Sequence, residues 1–364
     1  MTKRKLENIT SSKKIIKKEI IYINHNIKTI DDLIYVGNQY IAGNLYNINL
    51  EKLHKLIPVL TKLNKVVGME TVKQNIMNHI IYFIQDFQDK NSDMLHIVIQ
   101  GPPGVGKTML GEIIAEIYFT LDIIEQNFTN NTCSDSDNES NIYGPAIINN
   151  KFKFIIAKRS DLIGKYLGHT AIKTQEMINK SLGGVLFIDE AYSLGNSEGR
   201  DSFSKECIDT INQNLTEKKN QLLVIIAGYQ GALDTCFFNY NEGLRRRFPF
   251  IYTIEKYTPL EMGQILQLMI TNLGKDWEIT TEQQILEEFF KKNLALFPNS
   301  AGDIETLIFL IKIEHSKRLF CNDNELNQRK KINNIDLENA LKTFILNKEI
   351  KEQTKSESQL MMYI

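Results

Sequence analysis

Cysteine is scarce: Cys133, Cys207, Cys236 and Cys321 are scattered through 364 positions. None belongs to a C-x-x-C pair and no histidine stands beside them at metal-ligand spacing. That excludes a zinc module and reads the thiols as free, in a reducing compartment. No run of about 18 apolar residues occurs, so no membrane span is expected. The basic N-terminus (Lys3-Arg4-Lys5, then Lys13, Lys14, Lys17 and Lys18) lacks an apolar core and is no secretory signal. It reads as a solvated arm, with a nuclear-import patch as the alternative, and the expected compartment is intracellular, cytoplasmic. Charge of one sign is also lacking. A net charge of −1 argues against a protein whose main task is coating nucleic acid. The guanine-selective N-K-x-D element is missing as well. Asn64-Lys65-Val66-Val67 comes nearest and has valine in place of aspartate, so adenine is the expected base.

What is present is a hydrophobic fraction of 42%, enough for a core, in a chain long enough for more than one domain. Gly101 to Thr108 spells GPPGVGKT, which fits GxxxxGK[ST]. An apolar run, Ile97-Val98-Ile99, precedes it and a helix-like stretch, Met109 to Tyr118, follows. That strand–loop–helix context is what the motif requires. Glycines let backbone N–H groups wrap a phosphate, and the helix N-terminus adds partial positive charge. Lys107 neutralises β/γ oxygens, and the Thr108 hydroxyl is placed for Mg²⁺.

Val185-Leu186-Phe187-Ile188 is an apolar strand that ends in two acids, Asp189 and Glu190. Ligands of α/β sheets bind beyond the carboxyl ends of the strands. Asp189 therefore falls beside the phosphate loop as a candidate Mg²⁺ ligand, and Glu190 is placed to polarise an attacking water. Further strands are read at Phe152–Ala157, Leu222–Ala227 and Phe250–Ile254, alternating with helices near Ala171–Leu182 and Phe203–Leu215. The fold class is thus α/β, a phosphate-loop domain with a parallel five-stranded sheet flanked by helices. Leucines from Leu50 to Leu63 recur at helical spacing, and a second helix is read over Glu70–Phe87. From Pro259 onward only helices are read, over Leu260–Leu273, Glu282–Asn293, Asp303–Leu319 and Asp336–Leu346. The domain boundaries follow: an N-terminal arm over 1–45, a candidate for partial disorder; the α/β domain over 46–256; a small all-α domain over 257–346; a tail over 347–364. A polar, acidic stretch at about 129–150 reads as a surface insertion.

Arg245-Arg246-Arg247 follows the strand Leu222–Ala227. A solvated turn is one reading. An arginine supplied to a neighbour's phosphates is the other, worth about 10³–10⁵ in rate where it occurs. Tyr166-Leu167-Gly168 lies in a Gly-containing loop, either as a packing cluster or as an aromatic paddle that grips a peptide.

Together these segments resemble the AAA+ ATPases, in particular the group of the red-type Rubisco activase and stage V sporulation protein K. The match is carried by Val66-Val67-Gly68-Met69, GPPGVGKT (101–108), RSDLIGKYLGHTA (159–171), GGVLFIDEAYSL (183–194), Ile226-Ala227-Gly228-Tyr229 and GLRRRF (243–248). The resemblance implies a large α/β domain plus a helical lid with ATP between them, and assembly as a homo-oligomer, typically a hexamer. By residue it assigns Val67 and Gly68 to adenine, and Pro103, Gly104, Val105, Gly106, Lys107, Thr108 and Met109 to the phosphates. It assigns Thr108 and Asp189 to Mg²⁺, Glu190 to water activation, Tyr229 to the sensor position, Arg247 ahead of Arg245 to the finger, and Tyr166, Leu167 and Gly168 to a substrate pore loop. The chain departs from the pattern at Tyr229, where asparagine is common, and at Gly302, where a lid arginine is expected. The implied activity is Mg-dependent ATP hydrolysis, chaperone-like, driving the remodelling or partial threading of a protein client. A nucleic-acid-acting initiator or helicase, disfavoured by charge, and a nucleotide-gated scaffold without threading are the alternatives.

Overall fold

The computed structural model describes residues 19–89, 92–124, 152–166, 168–195, 201–320 and 329–361, with side chains to residue 350. The basic arm to residue 18, the acidic insertion at 129–150, Leu167, Cys133 and Cys321 lie outside the described residues.

The chain opens with β1 (Ile20–Ile21), α1 (Ile30–Gly37) and β2 (Leu45–Tyr46). The sequence reads residues up to 45 as an N-terminal arm, a candidate for partial disorder. It folds because Thr29 and Asp32 form a reciprocal capping box on α1, and because Leu33 and Val36 bury their side chains in the main core. β1 and β2 pair in parallel. Next come α2 (Leu50–Asn64) and α3 (Glu70–Ile84). Leu50, Leu53, Leu56, Leu60 and Leu63 of α2 are all buried, as the helical spacing predicts.

The central domain contains β3 (Ile97–Gln100), α4 (Lys107–Thr120), β4 (Phe154–Ala157), α5 (Arg159–Leu162), α6 (His169–Ser181), β5 (Gly184–Ile188), α7 (Ser202–Glu217), β6 (Leu222–Gly228), α8 (Gln230–Cys236) and β7 (Phe250–Thr253). The five strands form one parallel sheet in the order β4-β5-β6-β3-β7. All residues of β5 and β6 are buried, which is why both read as unbroken apolar runs. Alternation sorts their side chains between two cores. Ile97, Ile99, Val185, Phe187, Leu223 and Ile225 join α2, α3 and α4 on one face. Val98, Leu186, Ile188, Val224 and Ile226 join α6 and α7 on the other. Gly111 sets how closely α4 approaches β5, since a Cβ there would lie 2.5 Å from Phe187. The helix that begins at Lys107 is thereby held against the strand that leads into Asp189.

The C-terminal part comprises α9 (Pro259–Thr271), β8 (Glu278–Ile279), α10 (Gln283–Asn293), α11 (Ala301–Leu319), β9 (Lys331–Ile332) and α12 (Asn334–Met361) around a separate core. Two features differ from the sequence reading. The region is not purely helical, because β8 and β9 pair in parallel; two-residue strands leave no periodicity to detect. The last helix does not stop near residue 346 but runs into the expected tail. No Gly or Pro interrupts 334–361, so nothing in the chain breaks it. Among the described residues no single helix is long and apolar enough to cross a membrane.

Candidate nucleotide site

The loop from Gly101 to Gly106 leaves the end of β3 and turns directly into α4. Gly104 and Gly106 have φ of 70° and 84°, left-handed values that a side chain disfavours. Those turns let consecutive N–H groups converge on one point. A cavity of about 250 Å³ opens there, lined by Pro103, Gly104, Val105, Gly106, Lys107, Thr108, Asp189, Glu190, Tyr192, Gly228 and Tyr229. Three parallel strand ends, those of β3, β5 and β6, deliver these residues to one place, as expected for ligand sites of such sheets.

Lys107 donates from Nζ to the carbonyl oxygens of Gly101 at 3.0 Å and Pro102 at 2.7 Å. Burial lowers its pKa, while Asp189 and Glu190 oppose the shift. Burial holds Asp189 above the usual carboxylate range, against a hydrogen bond from the Glu190 backbone; that N–H donates to Asp189 Oδ1 at 3.0 Å. A half-buried cation and carboxylate that are both disfavoured in their charged forms suit a ligand that supplies the missing charges. Glu190 has φ 51°, an uncommon value for a side-chain-bearing residue, at the entry to a short 3-10 turn over Ala191–Leu194.

Two tyrosines complete the wall. Their rings stack with centroids 5.2 Å apart, and Lys107 Nζ lies 5.1 Å from the Tyr229 centroid. Burial pushes the Tyr192 hydroxyl up to about 12, with Glu190 and Tyr229 adding to the shift. Tyr192 was not singled out in the sequence, although its place two residues beyond Glu190 was the available signal.

The remaining candidates lie elsewhere. Gly68, with φ 66°, faces the start of α9, where a Cβ would meet Glu261 at 2.3 Å, and Val67 packs against the C-terminal core. Met109 is exposed. Arg245 and Arg247 precede β7 and so lie at the opposite end of the sheet. Arg247 donates to Thr216 Oγ1 at 2.9 Å and to the Gly243 carbonyl at 2.8 Å. Arg245 pairs with Asp234 and covers the Phe238 ring. Tyr166 is 68% exposed, its ring 5.6 Å from that of His169, and Gly168 forms the left-handed cap of α6. Gly302, at the start of α11, has open space where its side chain would stand.

Thr108 and Asp189 supply hard oxygen donors to the same cavity. Among the described residues no cluster of three or more His, Cys, Asp or Glu could hold a metal by itself. That donor set fits Mg²⁺, which is commonly held by one or two protein oxygens plus substrate phosphates.

Residues 97–256 match the family model described as the ATPase family associated with various cellular activities (AAA). The cfxQ-like protein R730 of Acanthamoeba polyphaga mimivirus is 41% identical over 336 residues, 91% of this chain and 75% of that protein. Protein CfxQ of Xanthobacter flavus is 30% identical over 265 residues, 70% of this chain and 74% of its own length. Stage V sporulation protein K of Bacillus subtilis (strain 168) is 31% identical over 241 residues, covering 64% and 66% respectively. Among solved structures, the FIGL-1 AAA domain in complex with ADP superposes with a TM-score of 0.51 at 20% identity, covering 77% of this chain and 83% of that one, a likeness of fold.

Proposed function

The chain belongs to the AAA family of ATPases and hydrolyses ATP, and from that premise we propose that it works as a homo-oligomeric ring, a hexamer, that remodels a protein client. The observation that carries this reading is the convergence of Lys107, Thr108, Asp189 and Glu190 on one cavity, with Tyr166 standing exposed on a different loop. The loop N–H groups and Lys107 bind the β- and γ-phosphates. Thr108 and Asp189 hold Mg²⁺, which when bound neutralises charge on the phosphate oxygens. Glu190 accepts a proton from the attacking water, and Tyr229 orients that water near the γ-phosphate. Val67 and Gly68 border the adenine. Arg247, or Arg245 beside it, reaches the nucleotide of the adjacent subunit. Tyr166, with Leu167 and Gly168, contacts the client in the central pore.

The test is a trap. Glu190→Gln retains ATP and loses turnover by about 10²–10⁴-fold, the usual worth of a general base, and it holds client and ring together in a pull-down. Adding Tyr166→Ala to that variant releases the client while ATP stays bound. Client retention in the double variant would leave a nucleotide-gated scaffold as the better description. Stimulation of turnover by single-stranded DNA, and not by a long unstructured protein, would replace both with a nucleic-acid role.

A further inference from the structure

A loop that turns its N–H groups inward onto a phosphate must turn its carbonyls outward. In this chain the carbonyls of Gly101, Pro102, Gly104 and Val105 each meet a specific partner, the first two on the cavity side. Lys107 takes Gly101 and Pro102. The next two partners come from the C-terminal domain and its hinge. The backbone N–H of Ala301, the first residue of α11, donates to the Gly104 carbonyl at 3.2 Å. The Tyr257 hydroxyl, in the connector before α9, donates to the Val105 carbonyl at 2.9 Å. Contact at Gly104 is close enough that a Cβ would stand 1.9 Å from the Asn299 carbonyl oxygen. Tyr257 is half-buried, and burial pushes its hydroxyl up to about 12.

We propose that Tyr257 and the turn Asn299–Ala301 form a clamp on the outer edge of the phosphate loop, through which the lid senses whether that loop is in its phosphate-holding shape. The clamp supplies the coupling that a side chain at Gly302 does not. It rests on the reading of Gly101–Thr108 as the ATP site for its purpose, though not for its existence. In a trans peptide the carbonyl is antiparallel to its own N–H, so Gly104 O and Val105 O point toward the lid while the N–H groups of Val105 and Gly106 point into the cavity. A change of loop conformation breaks both hydrogen bonds together, and a lid displaced from the loop leaves two carbonyls without partners. Tyr257 is accordingly a positioning residue, acting on phosphate through Val105.

The test uses the full chain and Tyr257→Phe, which removes one hydroxyl and keeps the ring. One neutral hydrogen bond is commonly worth about threefold to tenfold in an equilibrium. In the nucleotide-free protein, amide exchange over 101–106 and 299–303 should therefore speed up by that factor, with β5 and β6 unchanged. Ala301→Pro, which removes the other donor, should act on the same two segments. With ATP, Tyr257→Phe should raise KM by about threefold to tenfold and leave kcat within about twofold, a split that general destabilisation would not produce. Unchanged exchange at both segments in both variants overturns the clamp, whatever the nucleotide does. Failure of ATP to protect the loop amides of the unaltered chain, with the clamp variants still accelerating exchange, would sink the nucleotide reading and leave the clamp standing.

Discussion

Asp189 is held in a state that disfavours its own charge, because burial raises its pKa and the neighbouring hydrogen bond only partly offsets that. The sign of the consequence follows from linkage. A carboxyl with a raised folded-state pKa stabilises the fold below its ordinary value and forfeits that contribution as pH rises through the raised one. At neutral pH the charged Asp189 carboxylate therefore strains the fold, and a bound cation would relieve it. Asp189→Asn should melt a few degrees higher than the unaltered chain at pH 7, a common outcome for relaxed active-site charges. The gain should vanish below the ordinary carboxylate range, while turnover falls by more than about tenfold. Thermal melts at two pH values with a phosphate-release assay check it, and a lower melting temperature at pH 7 would refute the argument. Lys107 shows the mirror image, with burial lowering its pKa. These residues were legible in the sequence because fixed spacing in a strand–loop–helix context leaves few alternatives. Tyr257 was not, since its contact with Val105 spans 152 positions and no local pattern encodes it.

Between elements, His96 is the joint that fastens β3 to its neighbours. Its Nε2 donates to the Leu215 carbonyl at 3.0 Å and its Nδ1 accepts from the Val224 N–H at 3.1 Å, an arrangement that only the neutral ring satisfies. Burial accordingly lowers its pKa to about 4, and burial alone takes His79, on α3 against β7, to about 4. Both groups contribute stability that is present above the ordinary histidine value of 6.5 and lost as pH falls toward about 4. Denaturant titrations should show stability dropping across that window, and His96→Gln should flatten the drop while lowering stability at pH 7 by about 1–3 kcal/mol. An unaltered slope would remove His96 from this role. The strands that His96 joins were readable as apolar runs because a parallel sheet is buried on both faces. β8 and β9 were not, because two residues carry no period. The segment 20–46 was not, because its stability comes from packing against α2 and not from its own propensity.

On the scale of the whole molecule, the parallel sheet forces a separation that a single chain cannot overcome. Lys107 follows β3, whereas Arg247 precedes β7, and the two strands run side by side in the same direction. Four residues at about 3.3 Å each put the two ends on the order of 13 Å apart along the strands, before side-chain reach. Arg247 is also tied to Thr216 and Gly243 on its own side. If it acts on phosphate, it acts on the phosphate of another copy. Arg247→Ala should then lower turnover with little effect on ATP affinity, since such an arginine acts mainly in the transition state, whereas Lys107→Ala should abolish binding. Mixing the two inactive variants separates the readings. In a mixed ring, an Arg247→Ala subunit keeps an intact cavity, and a Lys107→Ala neighbour supplies an intact arginine to it. Phosphate release should reappear on mixing, at a fraction set by how often that pair falls in the productive order. Two inactive variants that stay inactive together, while co-assembling by light scattering, would assign Arg247 to its own subunit's packing and leave the composite site without support.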